Sequence, residues 1–330
     1  MLASTVFTLF PFIFRNAFKD CHLLATYIGP IPSKPERPHV HEYYHILLIK
    51  SNIWTKANNL WATDQVIKDE YDTLLKVDRP KIKEDADFLE SFPGLDRYNL
   101  LYPFKYNKIT INTEKGYINA SPINIGQKQN LFIATQGPLV NTIEDFWTMV
   151  WELKSKVIVM LTNLIEADKK KCENYWEAKM EKFKVEVKKE NTHKMYFERE
   201  IQLINLSNKE ERTVYQIHYT QWPDKGVPES KDLPIFSEIN ELVDKLNNDT
   251  KEPIIVHCSA GAGRTGTFIS MYLLEKEIVK QIKDNCSIIR FNIFNLVRKL
   301  KEMRISMVQT HEQYQLIYKF VTGLLDKLNN

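Results

Sequence analysis

An α/β protein, with a sheet covered by helices, is the fold class that the 330-residue chain predicts. Two observations carry that expectation. Val157 to Thr162 (VIVMLT) and Pro253 to Val256 (PIIV) are short, continuous apolar runs, the pattern of strands buried on both faces. Around them, stretches with apolar residues at helical spacing alternate with stretches of period two, and no internal repeat of about 20 to 50 residues interrupts the alternation.

The elements follow in chain order. Leu2 to Phe14 is almost wholly apolar, yet it is shorter than the about 20 residues that span a bilayer, no Lys or Arg precedes it, and no small-residue cleavage site follows. No stable membrane insertion is expected from it. Gly29 to Pro38 (GPIPSKPERP) holds four prolines, which exclude a regular helix and mark a linker. Val66 to Lys76 has helical spacing, and Asp145 to Leu153 (DFWTMVWEL) is a strong amphipathic helix whose Phe146, Trp147 and Trp151 are expected in the core. Phe183 to Val187, Arg199 to Asn205 and Val214 to Tyr219 alternate as half-buried strands do, and Leu233 to Leu246, Thr267 to Ile282 and Phe291 to Met303 return to helix.

Composition narrows the function. A chain that is 43% hydrophobic and 12% aromatic has ample apolar surface for a core, which excludes disorder as its main state. Lys plus Arg at 45 against Asp plus Glu at 42 leaves +3, so the total points to no nucleic-acid partner. Cys21, Cys172, Cys258 and Cys286 are far apart, with no C-x-x-C pair and no histidine at zinc spacing. Neither a disulfide framework nor a metal site is signalled, and a reducing, cytoplasmic setting is the simplest expectation. The runs Lys169 to Lys171 and Lys188-Lys189 read as solvated faces.

The chemistry concentrates where PIIV ends, in His257-Cys258-Ser259-Ala260-Gly261-Ala262-Gly263-Arg264-Thr265-Gly266. A buried strand there runs into a Gly-rich turn that opens a helix, which is an anion cradle in outline: the glycines let successive N–H groups turn inward, and the helix start adds unsatisfied donors. Arg264, six residues after Cys258, is expected to return across the loop and grip two phosphate oxygens with its planar fork. The same positive field favours a thiolate at Cys258. The lysine of a nucleotide-binding loop is absent.

This segment resembles the signature of the cysteine-dependent protein tyrosine phosphatases, in their phosphotyrosine-specific branch. Other blocks resemble that family in the same order: Asp96-Arg97-Tyr98 its phosphotyrosine-recognition loop, Tyr117 to Ser121 its YINAS block, and Ile133 to Pro138 its ATQGP block. Glu166 with Lys171 to Trp176 resembles the KCxxYW loop, Trp222 to Pro228 the WPD loop, and Val308 to Tyr314 the glutamine loop. The resemblance covers residues 63–325, which leaves 1–62 as an N-terminal extension and 326–330 as a tail. The lone domain and its Lys/Asn/Ile-rich composition are also similar to the single-domain phosphatases of wasp-symbiont bracoviruses.

What the resemblance implies is a highly twisted mixed sheet flanked by helices and a two-step transfer with neither cofactor nor metal. Cys258 attacks phosphorus, while Arg264 and the amides of Ser259, Ala260, Gly261, Ala262 and Gly263 hold the equatorial oxygens. Asp224 protonates the leaving tyrosyl oxygen and then takes a proton from the attacking water. His257 orders the loop and tunes the thiolate, Thr265 donates a hydroxyl hydrogen bond to the departing sulfur, and Gln309 and Gln313 place the hydrolytic water. Tyr98 lines a slot deep enough for phosphotyrosine, Lys171 sits near the acid, and Glu166 pairs with Arg264. The implied partners are phosphotyrosine-containing proteins of signal transduction. A phosphotyrosine-binding pseudophosphatase is the alternative, and a phosphoinositide or RNA 5′-end phosphatase is disfavoured by the WPD and tyrosine-loop blocks. Two positions depart from the family pattern: Leu100 stands where an aspartate usually accepts hydrogen bonds from the peptide backbone, and Lys225 where histidine or phenylalanine is more frequent.

Overall fold

The computed structural model describes residues 45–48, 63–83, 91–125, 131–224, 226–248, 251–286 and 288–329. Residues 2–14 and 29–38, Cys21 and Lys225 lie outside the described residues.

The apolar runs form the centre of a seven-stranded sheet. Its strands are β2 (Ala120–Ile123), β3 (Phe132–Thr135), β4 (Val157–Met160), β7 (Phe183–Thr192), β8 (Tyr196–Asn205), β9 (Glu211–Tyr219) and β10 (Ile254–His257), in the order β2-β3-β10-β4-β9-β8-β7. β3, β10, β4 and β9 run parallel, and β2 at one side and β8 and β7 at the other are antiparallel. The sheet is therefore mixed, as expected. Two short ribbons accompany it: β1 (His45–Leu48) pairs with β11 (Ile288–Phe291), and β5 (Ile165–Glu166) with β6 (Lys169–Lys170).

Alternation within the central strands explains why both faces are covered. Val157 and Val159 enter one apolar cluster and Ile158 and Met160 the other, just as Ile254 and Val256 oppose Ile255. The first cluster is completed by α1 (Asp64–Lys83), α3 (Pro234–Asn247), α4 (Gly263–Lys283), α5 (Ile293–Met303) and α6 (His311–Asn329), the second by α2 (Ile143–Glu152). In α2, Phe146 and Trp147 are core residues as expected, while Trp151 is only half-buried and lies under the Arg212 guanidinium at 3.7 Å.

Several bounds differ from the sequence expectation for identifiable reasons. Phe291 ends β11 rather than starting a helix, and Asn292 caps α5 by accepting from the Asn295 amide at 2.7 Å. α4 starts at Gly263, ahead of the expected Thr267, so Arg264 and Thr265 are in its first turn. β1 falls within the stretch assigned to the extension, and α6 continues past residue 325 because Leu324 and Leu325 are still packed in the core.

Candidate active site

Three parallel strands deliver their C-terminal ends to one place: Thr135 of β3 and Met160 of β4 flank His257 of β10. A cleft beyond the strand ends of a parallel sheet is where such folds bind ligands. Cys258 follows immediately, 5% exposed, and the next residues turn into α4.

The direction of the Cys258 loop is set by its carbonyls. Cys258 O accepts from His257 Nδ1 at 3.0 Å, Ser259 O from the Gly137 amide at 3.0 Å, Ala260 O from Arg304 Nη2 at 3.1 Å, and Gly261 O from Arg304 Nε at 2.7 Å. With four successive carbonyls tied outward, the amides of Ser259 to Arg264 face the other way. None of those amides makes a hydrogen bond within the described residues. They form the nest that an anion would fill. Gly261 is required, because its φ is +68° and a Cβ there would stand 2.2 Å from the Thr135 carbonyl oxygen. Gly263 serves by absence of bulk: a Cβ would meet Gln313 Oε1 at 2.8 Å and Gln309 Cβ at 3.1 Å, so both glutamines lie against the loop.

Arg304 is 1% exposed and holds this loop from behind, with further bonds to Asn119 Oδ1 at 2.6 Å and Ser121 Oγ at 3.2 Å. Burial pulls its pKa down to about 10, so the guanidinium stays charged at neutral pH. The sequence offers no motif for Arg304, a lone arginine after an amphipathic helix, and reasoning from the chain alone passed over it.

His257 is fully buried, and burial presses its pKa down to about 3, which makes it neutral. Its tautomer follows from its partners. Arg199 Nη1 donates to Gln216 Oε1 at 2.7 Å, Gln216 Nε2 donates to Tyr175 Oη at 2.7 Å, and so the tyrosyl proton goes to His257 Nε2 at 2.8 Å. Nδ1–H is then free to donate to the Cys258 carbonyl. The expected ordering role of His257 thus continues through Tyr175, another residue without an assigned role in the sequence reading.

Arg264 faces Glu166 in a fork, with Nη1 to Oε1 at 2.7 Å and Nη2 to Oε2 at 2.8 Å. Burial raises the Glu166 pKa, but the Arg264 bonds, the Asn163 amide and the Thr162 hydroxyl outweigh it and hold the carboxyl below its ordinary range. Burial likewise disfavours the Arg264 charge, and Glu166 and the Cys258 charge more than restore it, leaving its pKa raised. The remaining terminal N–H groups reach Leu161 O at 3.1 Å and Pro223 O at 3.2 Å. Of five donors, Nε–H is therefore the one left over, and a two-oxygen grip on phosphate requires release of the Pro223 contact.

The other expected residues gather around this centre. Asp224 Oδ1 is 3.2 Å from Lys171 Nζ, and that bond, ahead of the smaller Arg264 effect, holds its carboxyl below the usual range. Tyr98, 36% exposed, reaches Ser259 Oγ at 2.8 Å, and Ser259 donates onward to Lys171 O at 2.8 Å. Asp96 fixes the Tyr98 segment by accepting from Tyr117 Oη and, at 2.7 Å, from Asn119 Nδ2. The Thr265 hydroxyl is buried without a hydrogen-bond partner. Gln313 Oε1 accepts from the Gln309 amide at 2.8 Å, and the Gln309 side chain is exposed. Leu100 is 51% exposed at φ +63°. Among the described residues no group of His, Cys, Asp and Glu could hold a metal ion.

A loop of inward amides, a cysteine at a strand end, an arginine fork and a carboxylic acid opposite it define phosphoryl-transfer machinery of the cysteine-dependent kind. Residues 93–323 match the family described as Protein-tyrosine phosphatase, and the chain belongs to that family. It is 37% identical over 240 residues to human receptor-type tyrosine-protein phosphatase alpha, covering 70% of this chain and 29% of that protein. Against human tyrosine-protein phosphatase non-receptor type 20 it is 38% identical over 241 residues, or 71% of this chain and 55% of the relative. The chain thus spans little more than half the length of these relatives at most. The structure of PTPN18 in complex with HER2 phosphopeptides superimposes with a TM-score of 0.72 at 28% identity, covering 82% of this chain and 96% of that one.

Proposed function

We infer that the chain hydrolyses phosphotyrosine in proteins through a phosphocysteine intermediate. The observation that carries this is the Cys258 loop, whose carbonyls are all tied outward so that its amides stand ready for a phosphate beside the sulfur. In the first step the Cys258 thiolate forms an S–P bond as the P–O bond to tyrosine breaks, and the Asp224 carboxyl supplies the proton to the phenolate. In the second, water forms a P–O bond as the S–P bond breaks, Asp224 accepts its proton, and inorganic phosphate and the thiolate are released. Arg264 and the loop amides carry the charge of both transition states. Thr265 supports the sulfur after a rotation of its hydroxyl, and Tyr98 with Ser259 lines the entrance.

Phosphotyrosine proteins as partners are supported by the phosphopeptides held by PTPN18. A cytoplasmic place is supported by Cys172, Cys258 and Cys286, which are unpaired thiols, and a role in signal transduction follows only from phosphotyrosine proteins as substrates. No helix among the described residues is long and apolar enough to cross a membrane. The likeness to bracovirus phosphatases rests on composition. A pseudophosphatase that binds without turnover would be indicated by loss of the nucleophile, the arginine or the acid, and Cys258, Arg264 and Asp224 are all present; the missing acceptor at Leu100 bears on peptide binding instead.

Steady-state hydrolysis of a phosphotyrosyl peptide, beside phosphoserine and phosphoinositide controls, tests the reading. Phosphate release from the first substrate only is expected. Binding without release would establish the pseudophosphatase, and release from phosphoinositide alone would overturn the substrate class.

A further inference from the structure

The glutamine loop carries an unusual backbone. Val308, fully buried and β-branched, has φ +56°, and Ser306 two residues earlier has φ +58°. A β-branched residue in the left-handed region is an outlier that persists only where its surroundings over-determine it. Those surroundings include side chains that hold the next residue, Gln309, at both its amide and its carbonyl. The Gln309 amide donates to Gln313 Oε1 at 2.8 Å, and the Gln309 carbonyl accepts from Tyr71 Oη at 2.5 Å. Tyr71 comes from α1, which is itself locked to α6: Glu70 Oε2 accepts from Tyr314 Oη at 2.6 Å and from Tyr318 Oη. The Tyr71 ring is 6% exposed and packed edge-on against His311, 5.8 Å between centroids. The exposed Gln309 side chain therefore springs from a backbone held at both its amide and its carbonyl.

We propose that the Tyr71 hydroxyl is a positioning group for the second chemical step, acting through the Gln309 backbone to aim the amide that places the hydrolytic water on the phosphocysteine. This rests on the reading of Gln309 as the water-placing residue. The first step does not use that water, so loss of the hydroxyl separates the two steps. The Tyr71 hydroxyl acts on a backbone carbonyl.

The test is Tyr71→Phe, which keeps the ring and its packing. Rapid mixing with para-nitrophenyl phosphate reads phosphoenzyme formation from the burst and its breakdown from the steady state. Formation should change less than two-fold while breakdown slows by about 3- to 10-fold, the worth of one hydrogen bond. Methanol added as a competing acceptor should raise the ratio of methyl phosphate to inorganic phosphate, a ratio that does not depend on the fraction of protein folded. In a Gln309→Ala background, Tyr71→Phe should add nothing further. An unchanged ratio, equal slowing of both steps, or full additivity with Gln309→Ala would overturn the proposal. If the wild-type protein forms no acid-stable phosphocysteine at all, the reading of the whole site falls first.

Discussion

Lys171 Nζ stands 3.2 Å from Asp224 Oδ1, so the residue after β6 keeps the acid of the loop after β9 in its ionised form. The lysine bond lowers the Asp224 pKa, whereas a general acid must be protonated, and activity that needs the acid is lost as pH rises through that pKa. Lys171→Met should therefore raise the Asp224 pKa and move the basic limb of the kcat profile on a phosphotyrosyl peptide to higher pH. A limb that stays in place or moves to lower pH would show that Lys171 does not set the acid.

Cys258→Ser should abolish turnover and preserve phosphopeptide binding, because an alcohol at the same strand end is far less activated than a thiolate. Calorimetric titration with a phosphotyrosyl peptide alongside phosphate release measures both. Turnover resembling that of the wild type would remove the covalent route.

Asp224→Ala should lower kcat for a phosphotyrosyl peptide by about 10² to 10⁴ and much less for an aryl phosphate whose leaving group needs no proton. The comparison of the two substrates is the measurement. Equal losses would contradict the role of Asp224 as acid.

Leu100→Asp should raise kcat/KM for phosphotyrosyl peptides about 10-fold, since a carboxylate can accept from peptide amides and hydrogen bonds to charged groups are worth about 1.5 to 3 kcal/mol before solvent competition. Para-nitrophenyl phosphate, which has no peptide backbone, should be hydrolysed as before. The substitution should fold at least as well, because φ +63° suits aspartate better than leucine. A parallel response of both substrates would mean that position 100 does not face the peptide.

Tyr175→Phe should lower unfolding free energy by about 2 kcal/mol, because His257 Nε2 and Gln216 Nε2 both lose their partner inside the core. Tyr106→Phe should stay within about 0.5 kcal/mol of wild type, its hydroxyl being at the surface. Urea denaturation of the two variants decides it, and equal midpoints would show that the buried chain contributes no stability.

The sequence reading succeeded where chemistry is local. Cys258, the glycines and Arg264 declare a loop because a strand, a turn and a helix start follow within a few residues, and VIVM and PIIV declare buried strands by composition alone. It failed where a role is created by distant chain. Arg304 and Tyr71 act on backbone carbonyls more than forty and two hundred residues away, and no periodicity encodes such a pairing. β2 and β11 are as short as β4 and β10, but Ser121, Pro122 and Arg290 interrupt them, so no continuous apolar run marks them. The helical period is read only from Thr267 because the first turns of α4 are buried on several sides, with Thr265, Phe268, Ile269 and Met271 all covered, so no amphipathic stripe marks them.

The antiparallel meander of β7, β8 and β9 has its two turns at opposite ends. Thr220, just after β9, donates to Met195 in the β7–β8 turn, so that turn lies at the end of the sheet where β9 leads to the Asp224 loop. The turn between β8 and β9, residues 206–210, is at the other end, and Lys209 there already adopts φ +64°. An exposed turn on the side of the sheet remote from the reacting atoms is where a chain tolerates new covalent connections. A fluorescent reporter or an affinity handle spliced in at 207–209 should leave the chemistry intact and give a route to follow the protein in cells.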